Sequence, residues 1–470
     1  MEWLIVFALL LLILLVQDVV QRKDAVRRNL PLLGRLRKLA DHAGVYYRRY
    51  LSAGDREELP FNRNTRQWIA RVSRGVDDKI GFGSTRPLDE PGSILFVNAP
   101  YALLVEEASP AEPVIIGARC DKPFVPRRIF NISAMGHAMI SRSAIRALAK
   151  GSAMSGVWLN TGENGATQDH FDAGCDLVFQ IGKARYEDSG VRDREGRLSD
   201  RRLRETSIHV RAFEIKLSQG AKPGRGRILL PEGSEIHYGS RHREIRSHGD
   251  LLDMVAHIRD VTGRPVGFKA AISSRTFLEE LCHEIHKRGA DSAPDFITVD
   301  GGEGGSGQTQ QTFAESVGLS LTESLPFVVD VLLEQGLRER IVVIASGKLV
   351  TSEKVAWALC TGADYIVSAR GFMFSLGCIQ TLDCHKGTCP AGIATRSKYL
   401  QRGLDVREKS RAVASYANWI NSEVEAIARA CGLENARQLR RTHARIVLPD
   451  GRSEAMDRLF PYPSPLAGER

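Results

Sequence analysis

From residue 130 to residue 369 the chain repeats one pattern eight times: a short apolar run ending in small or polar residues, usually followed by a segment with helical periodicity. The runs are FNISAM (130–135), VWLNT (157–161), LVFQIG (177–182), AFEIKLS (212–218), PVGFKA (265–270), FITVD (296–300), IVVIAS (341–346) and YIVSA (365–369). Nearly continuous apolar strands are what a parallel sheet buried on both faces requires. Helical patterns at 141–150, 250–261, 276–288, 321–333 and 352–360 lie between them. Eight alternations predict an α/β fold of the (β/α)8 TIM-barrel type, with a doubly wound open sheet as the alternative. Two connections depart from the pattern: HFDAGC (170–175) is short, and 183–211 is a polar excursion.

In such a barrel the active-site groups stand just after the strands. Those positions hold Ser133, Asn160, Thr161, Glu163, Gln180, Lys216, Gln219, Lys269, Asp300, Glu303, Ser346, Lys348 and Arg370. Polar and basic groups therefore recur in phase with the strand ends, which points to a site. Lys269 stands inside the apolar VGFKAAI (266–272). An ammonium there either pairs with an acid across the barrel or points at a ligand; beside a flavin's pyrimidine edge it stabilises the reduced ring. The turns SGKL (346–349) and ARGF (369–372) end the seventh and eighth runs, where phosphate sites of such barrels lie. Glycine after a strand is also ordinary turn chemistry. DGGEGGSG (300–307) is not a dinucleotide fingerprint, and the chain has no P-loop. It reads as close backbone approach to a flat ring or phosphate, or as a surface loop.

Directly after the eighth run, Cys378, Cys384 and Cys389 stand in a C-x5-C-x4-C spacing within LGCIQTLDCHKGTCPAGIAT (376–395). Three thiolates match a cluster with three iron corners, and Pro390 after the last thiol resembles the ending of other iron–sulfur runs. The alternatives are a zinc site completed by His385, without the usual close cysteine pairs, and coincidence. Cys120, Cys175, Cys282, Cys360 and Cys431 are isolated and read as small core residues. Eight cysteines in 470 residues do not make a disulfide scaffold.

At the N-terminus WLIVFALLLLILLV (3–16) is uninterrupted apolar sequence, extended by Val19 and Val20 and followed by Arg22, Lys23, Arg27 and Arg28. No small-residue cleavage site follows it. It reads as a single-pass anchor in the inner or cell membrane with the catalytic body in the cytoplasm, by the positive-inside rule; a buried core helix is the alternative. Residues 31–76 are basic and helix-like, an expected lead-in near the membrane surface, and 77–124 read as short strands and turns. The net charge of +9 comes from scattered arginines without an aromatic-interleaved stripe, which argues against a nucleic-acid partner. The expected organisation is an anchor over 1–21, a lead-in over 22–125, a barrel over 126–440 with an iron–sulfur insertion at 376–395, and a tail over 441–470.

NISAM, LNTGENG, FQIGKARY, EIKLSQGAKPG, VDGGEGGSG, ASGKLVTS, SARGFMFSLGC and CHKGTCPAGIAT together resemble the FMN-binding synthase domain of glutamate synthase, in its short, stand-alone, membrane-anchored form. The resemblance covers roughly residues 61–439. It implies a barrel holding FMN and one [3Fe-4S] cluster, in an oxidoreductase of the CH–NH2 class. Electrons pass from cluster to flavin, and 2-iminoglutarate, formed from 2-oxoglutarate and ammonia, is reduced to L-glutamate. Carried over, Cys378, Cys384 and Cys389 ligate the cluster. Lys269 faces the flavin pyrimidine. Ser133, Met135, Asn160, Gly302, Gly347, Lys348, Arg370 and Gly371 fall in cofactor-contacting motifs. Lys216 and Gln219 engage the dicarboxylate, beside Glu163.

Departures line the substrate side. SAMGHAMIS puts His137 where the family carries an aromatic, NTGENG replaces NTGEGG, GSGQTQQ follows the sixth run, and HYGSRHREIRSH replaces a longer element after Lys222. No glutaminase or dinucleotide domain is evident. Nitrogen is then expected from ammonia, an amine or a glutaminase subunit, and electrons from a ferredoxin or an NAD(P)H-oxidising flavoprotein. The alternatives are a related FMN oxidoreductase acting on another 2-oxo or imino acid, and an electron-carrying membrane protein without synthase turnover.

Overall fold

The computed structural model describes residues 2–21, 27, 29–47, 52–183, 190–220, 226–229, 235–238, 241–305 and 309–463. The chain forms two compact units, Met1–Trp68 and Ile69–Arg470. The first holds the helices Glu2–Val20 and Leu33–Tyr47. The second is built on a closed barrel of eight parallel strands: β1 (Phe130–Ile132), β2 (Leu159–Asn160), β3 (Leu177–Ile181), β4 (Ala212–Lys216), β5 (Val266–Ala270), β6 (Phe296–Asp300), β7 (Val342–Ser346) and β8 (Tyr365–Ser368). β8 pairs with β1 through Ile366↔Phe130, Val367↔Asn131 and Ser368↔Ile132, which closes the ring and excludes the open sheet.

Each strand is followed by a helix: α1 (Arg142–Ser155), α2 (Gln168–Phe171), α3 (Asp200–Ser207), α4 (His248–Thr262), α5 (Arg275–Arg288), α6 (Leu321–Glu334), α7 (Ser352–Thr361) and α8 (Val406–Ala430). The two irregular connections are the ones with the shortest helices, α2 and α3. Their crossovers still return the chain to a parallel neighbour, so the barrel closes around them. Caps explain several helix boundaries. Ser141, Ser247, Ser274 and Asp405 each accept a backbone N–H from the first turn of α1, α4, α5 and α8, and Gly156 and Gly263 end α1 and α4 in the left-handed region.

The strand pleat sorts residues between two environments. In β3, β4 and β6 the odd-turned residues Phe179, Phe213, Ile215, Ile297 and Val299 are buried, on the face opposite to the interior-lining Val178, Ala212, Glu214, Phe296 and Thr298. The interior is apolar at the N-terminal ends of the strands. There Trp158 meets Phe124 edge-on with ring centroids 5.8 Å apart and Tyr365 at 5.2 Å. A bridge between Ile116 and Phe124 covers this end, and the Tyr365 hydroxyl donates to the Val114 carbonyl at 2.6 Å. Outside the barrel, Ala444–Val447 pairs antiparallel with both Ile94–Phe96 and Ser453–Ala455. Sequence alone places Ile94–Phe96 in a stretch of short strands and turns but reads the other two segments only as tail.

Because Trp158 is the centre of the floor, Trp158→Ala is expected to destabilise the protein by about 3–5 kcal/mol. Guanidinium unfolding followed by far-ultraviolet circular dichroism measures it.

Candidate active site at the C-terminal mouth of the barrel

Towards the C-terminal ends of the strands the inward positions turn from apolar to polar. Glu214, in the middle of β4, is buried and accepts from three side chains: Asn160 Nδ2 at 2.8 Å, Gln180 Nε2 at 2.6 Å and Thr298 Oγ1 at 2.6 Å. These donors come from β2, β3 and β6, so one carboxylate ties the interior of the barrel together. The Asn160 side-chain oxygen accepts the Gly162 N–H at 3.0 Å, which fixes the start of the following loop. Ser133, Asn160, Glu214, Lys269 and Thr298 line one cavity above the floor.

A second network lies beside it. The Lys269 ammonium is 3.3 Å from Ser346 Oγ and 3.5 Å from Asp300 Oδ1. Ser346 donates to Asp300 Oδ1 at 2.7 Å, and Asp300 Oδ2 accepts the Gly220 N–H at 3.0 Å. Lys269 thus both pairs with an acid and faces the cavity. The Lys216 ammonium meets Glu163 Oε2 at 3.0 Å. Lys216 and Lys269 are partners in the β4–β5 register, so two buried cations stand side by side at the mouth. Like charges opposite one another in a sheet repel; here each is offset by its own carboxylate.

The remaining expected residues spread around this centre. Met135 is buried after β1. Gln219 is half-buried on the loop after β4, donating to the Gly305 carbonyl at 3.4 Å. Gly347 and Lys348 follow β7. Lys348 is half-buried with φ 48°, and burial lowers its amine pKa while Glu303 opposes the shift. Both Glu303 oxygens accept the Leu321 N–H at 3.1 Å at the start of α6. For Gly302 and Gly371 packing alone demands glycine: an added Cβ would lie 2.6 Å from the Gly318 backbone and 2.1 Å from the Tyr416 hydroxyl, respectively. His137 reaches the Asn164 carbonyl with Nε2 at 2.8 Å, joining the loops after β1 and β2. Lys222, Gln308 and residues 184–186 of FQIGKARY lie outside the described residues.

The cysteine segment follows the short helix Arg370–Ser375. Its backbone turns through five positive φ values, at Gly377, Gln380, Leu382, Gly387 and Gly392; for Gln380 and Leu382 this is an uncommon conformation. All three thiols are free, with Cys389 buried and Cys378 and Cys384 half-buried. Burial raises the Cys378 pKa; the neighbouring Cys384 and Cys389 add to the rise, while a Gln380 backbone hydrogen bond and the Arg370 charge oppose it. The three thiols are therefore neighbours. Among the described residues, however, no three cysteine, histidine or acidic side chains converge so as to hold one metal ion, and His385 is exposed. Three free thiols in one segment are a donor set whose chemistry suits the corners of an iron–sulfur cluster.

Sequence reasoning missed Glu214 and Thr298, which sit inside strands. The signal was present: Ala212, Glu214 and Lys216 alternate with Phe213 and Ile215, placing the glutamate in phase with the lysine. It also missed His242. This buried side chain accepts from Arg192 Nη2 at Nδ1 (3.3 Å), so Nε2 carries the proton and donates to the Lys216 carbonyl at 3.0 Å. Burial lowers its pKa from 6.5 to about 4, with Arg192 adding to the effect. His170 is lowered to about 4 by burial, helped by His137. Between pH 6.5 and 4 the unfolded imidazoles take up protons that the native ones refuse. Their contribution to stability is therefore present above that window and is lost as the pH falls through it. His242→Gln is expected to flatten the dependence of unfolding free energy on pH in that window; denaturant titrations at several pH values check it, and an unchanged slope would contradict the assignment.

Residues 95–434 match the family described as the conserved region in glutamate synthase. The glutamate synthase large subunit-like protein YerD of Bacillus subtilis is 33% identical over 95% of this chain and 94% of its own length. The archaeal glutamate synthase [NADPH] of Methanocaldococcus jannaschii is 29% identical over 67% of this chain, which spans 61% of that protein. A solved structure of a mandelate oxidase variant with an FMN adduct overlaps 87% of this chain and 99% of its own, at a TM-score of 0.48 and 14% identity.

Proposed function

The chain belongs to the glutamate synthase family, and from that premise we propose that it is a flavin- and iron–sulfur-dependent oxidoreductase that reduces 2-iminoglutarate to L-glutamate. The imine forms from 2-oxoglutarate and ammonia. Electrons come from an external donor, a ferredoxin or an NAD(P)H-oxidising flavoprotein. The helix Glu2–Val20, long and apolar enough to cross a membrane, serves as a single-pass anchor with the barrel in the cytoplasm. The observation that carries the catalytic reading is the register pair Lys216↔Lys269: two buried, separately paired ammonium groups at the mouth of the barrel.

FMN supplies hydride chemistry when bound, and the cluster supplies single electrons. The chain's own residues do the rest. Lys269, held by Ser346 and Asp300, presents a fixed positive charge to the cavity lined by Ser133 and Asn160. It needs no reorganisation to stabilise negative charge there. Asn160 is oriented from below by Glu214. Gly347, Lys348, Arg370 and Gly371 follow the last two strands, where a phosphate is expected to dock. Cys378, Cys384 and Cys389 would hold the cluster. Lys216 binds one carboxylate of the substrate. A lysine has three N–H donors, so it can keep Glu163 at 3.0 Å while accepting that second partner. Gln219, on the loop beyond Lys216, donates to the same dicarboxylate.

Anaerobic stopped-flow tests the reaction: reduced flavin in the purified protein is expected to reoxidise on adding 2-oxoglutarate with ammonium, and with neither alone. If no 2-oxo acid does this while a redox protein does, the electron-carrying alternative replaces synthase turnover. Lys216→Ala is expected to lower kcat/KM for 2-oxoglutarate by about 10–100-fold, the worth of one charge-assisted hydrogen bond. Cys384→Ala should abolish the electron paramagnetic resonance signal of the oxidised cluster; an unchanged spectrum removes Cys384 from the ligand set.

A further inference from the structure

The N-terminal unit holds a charged cluster that the catalytic reading does not use. Along Glu2–Val20 the large apolar side chains are mostly exposed, but Asp18 is fully buried. Its carboxylate accepts from Arg27 Nη2 at 2.5 Å, Arg35 Nε at 2.8 Å and the Leu32 N–H at 3.1 Å. Arg35 also donates to the Leu14 carbonyl at 3.3 Å and to Gln17 Oε1 at 3.1 Å. A carboxylate at the end of an apolar helix is costly unless paired and hydrogen-bonded. Here two guanidinium groups and an amide meet it, and Leu32 turns the chain with φ 64°. The cluster therefore ties the end of the first helix to the start of the second, Leu33–Tyr47.

That second helix places Leu33, Leu36, Leu39, Ala40, Ala43 and Tyr47 in an arc about 120° wide at the helical period. All six are exposed, the large ones by 60–65%. Among the described residues the two helices share no extended packing seam that would cover this stripe. A 15-residue helix gains little stability in water by itself. Residues 22–49 carry nine lysines and arginines against two aspartates, a charge complementary to acidic headgroups.

We propose that Leu33–Tyr47 lies on the anionic surface of the membrane that Glu2–Val20 enters, with its leucine stripe at the boundary of headgroups and acyl chains and the Asp18 clamp setting the elbow. The proposal rests on the anchor reading. The alternative cover, a second copy of this chain, is removed by the test. Full-length protein is loaded at one chain per nanodisc, in phosphatidylcholine alone or with about one third phosphatidylglycerol. Hydrogen exchange of amides 36–47 is read by mass spectrometry, and flotation with vesicles reports anchoring separately. Exchange is expected to be at least about tenfold slower in the anionic discs. The double substitution Leu36→Asn, Leu39→Asn should abolish the slowing while the protein still floats, and Asp18→Asn should weaken it. Floating protein whose exchange is unaffected by lipid charge or by the leucine substitutions overturns the proposal. Wild-type protection in Asp18→Asn overturns the clamp. Protein that does not float overturns the anchor reading itself.

Discussion

A charge can be kept inside a closed barrel only if a partner meets it there, and the mouth of this barrel is organised by that demand. The Glu214 carboxylate is met by Asn160, Gln180 and Thr298 from three other strands. Lys269 is met by Asp300 and Ser346, and Lys216 by Glu163. Removing Asp300 or Glu163 would take from a buried lysine the acid that meets it, and removing a donor to Glu214 would weaken the compensation of its charge. The network therefore sets side-chain directions as firmly as packing does in the apolar floor. It also leaves two cations adjacent in register, each restrained by its own acid, where anionic ligands are expected to bind.

The same principle recurs on the loops. His242 stays neutral because burial and Arg192 disfavour its protonated form, and it holds the backbone of Lys216 through a directed hydrogen bond. Arg192 in turn bonds Glu244 and the Gly196 carbonyl. Segments from the connections after β3 and β4 are thereby tied to the strand end that carries the substrate-binding lysine in the proposed reaction. At the cysteine segment the constraint is conformational: left-handed residues, two of them not glycine, punctuate the run that carries three free thiols, and the Arg370 charge acts on Cys378. Strain of this kind persists where the surroundings over-determine it, and it collects at functional sites.

Much of this was legible from residue order. Periodicity located all eight barrel strands to within a few residues, because a parallel strand buried on both faces must be apolar on both. The strand-end positions named Asn160, Lys216, Lys269, Asp300 and Ser346, because barrel geometry puts its chemistry there. Less was legible where contacts join distant parts of the chain. No local pattern shows that Ile94–Phe96 pairs with Ala444–Val447, or that Arg192 and His242 meet. Asp18 reads locally as an interruption of an apolar run, whereas it is the centre of a three-partner cluster.

The sequence by itself determined the barrel, the order of its elements, the spacing of the three thiols and the kinds of groups at the strand ends, since each depends on periodicity or on near neighbours. Only the tertiary structure decided which acid restrains which lysine, that Glu214 ties four strands together, and that Gly302 and Gly371 are required by packing. Those outcomes depend on which side chains the closed ring brings within hydrogen-bonding or van der Waals distance, and ring closure joins residues far apart along the chain.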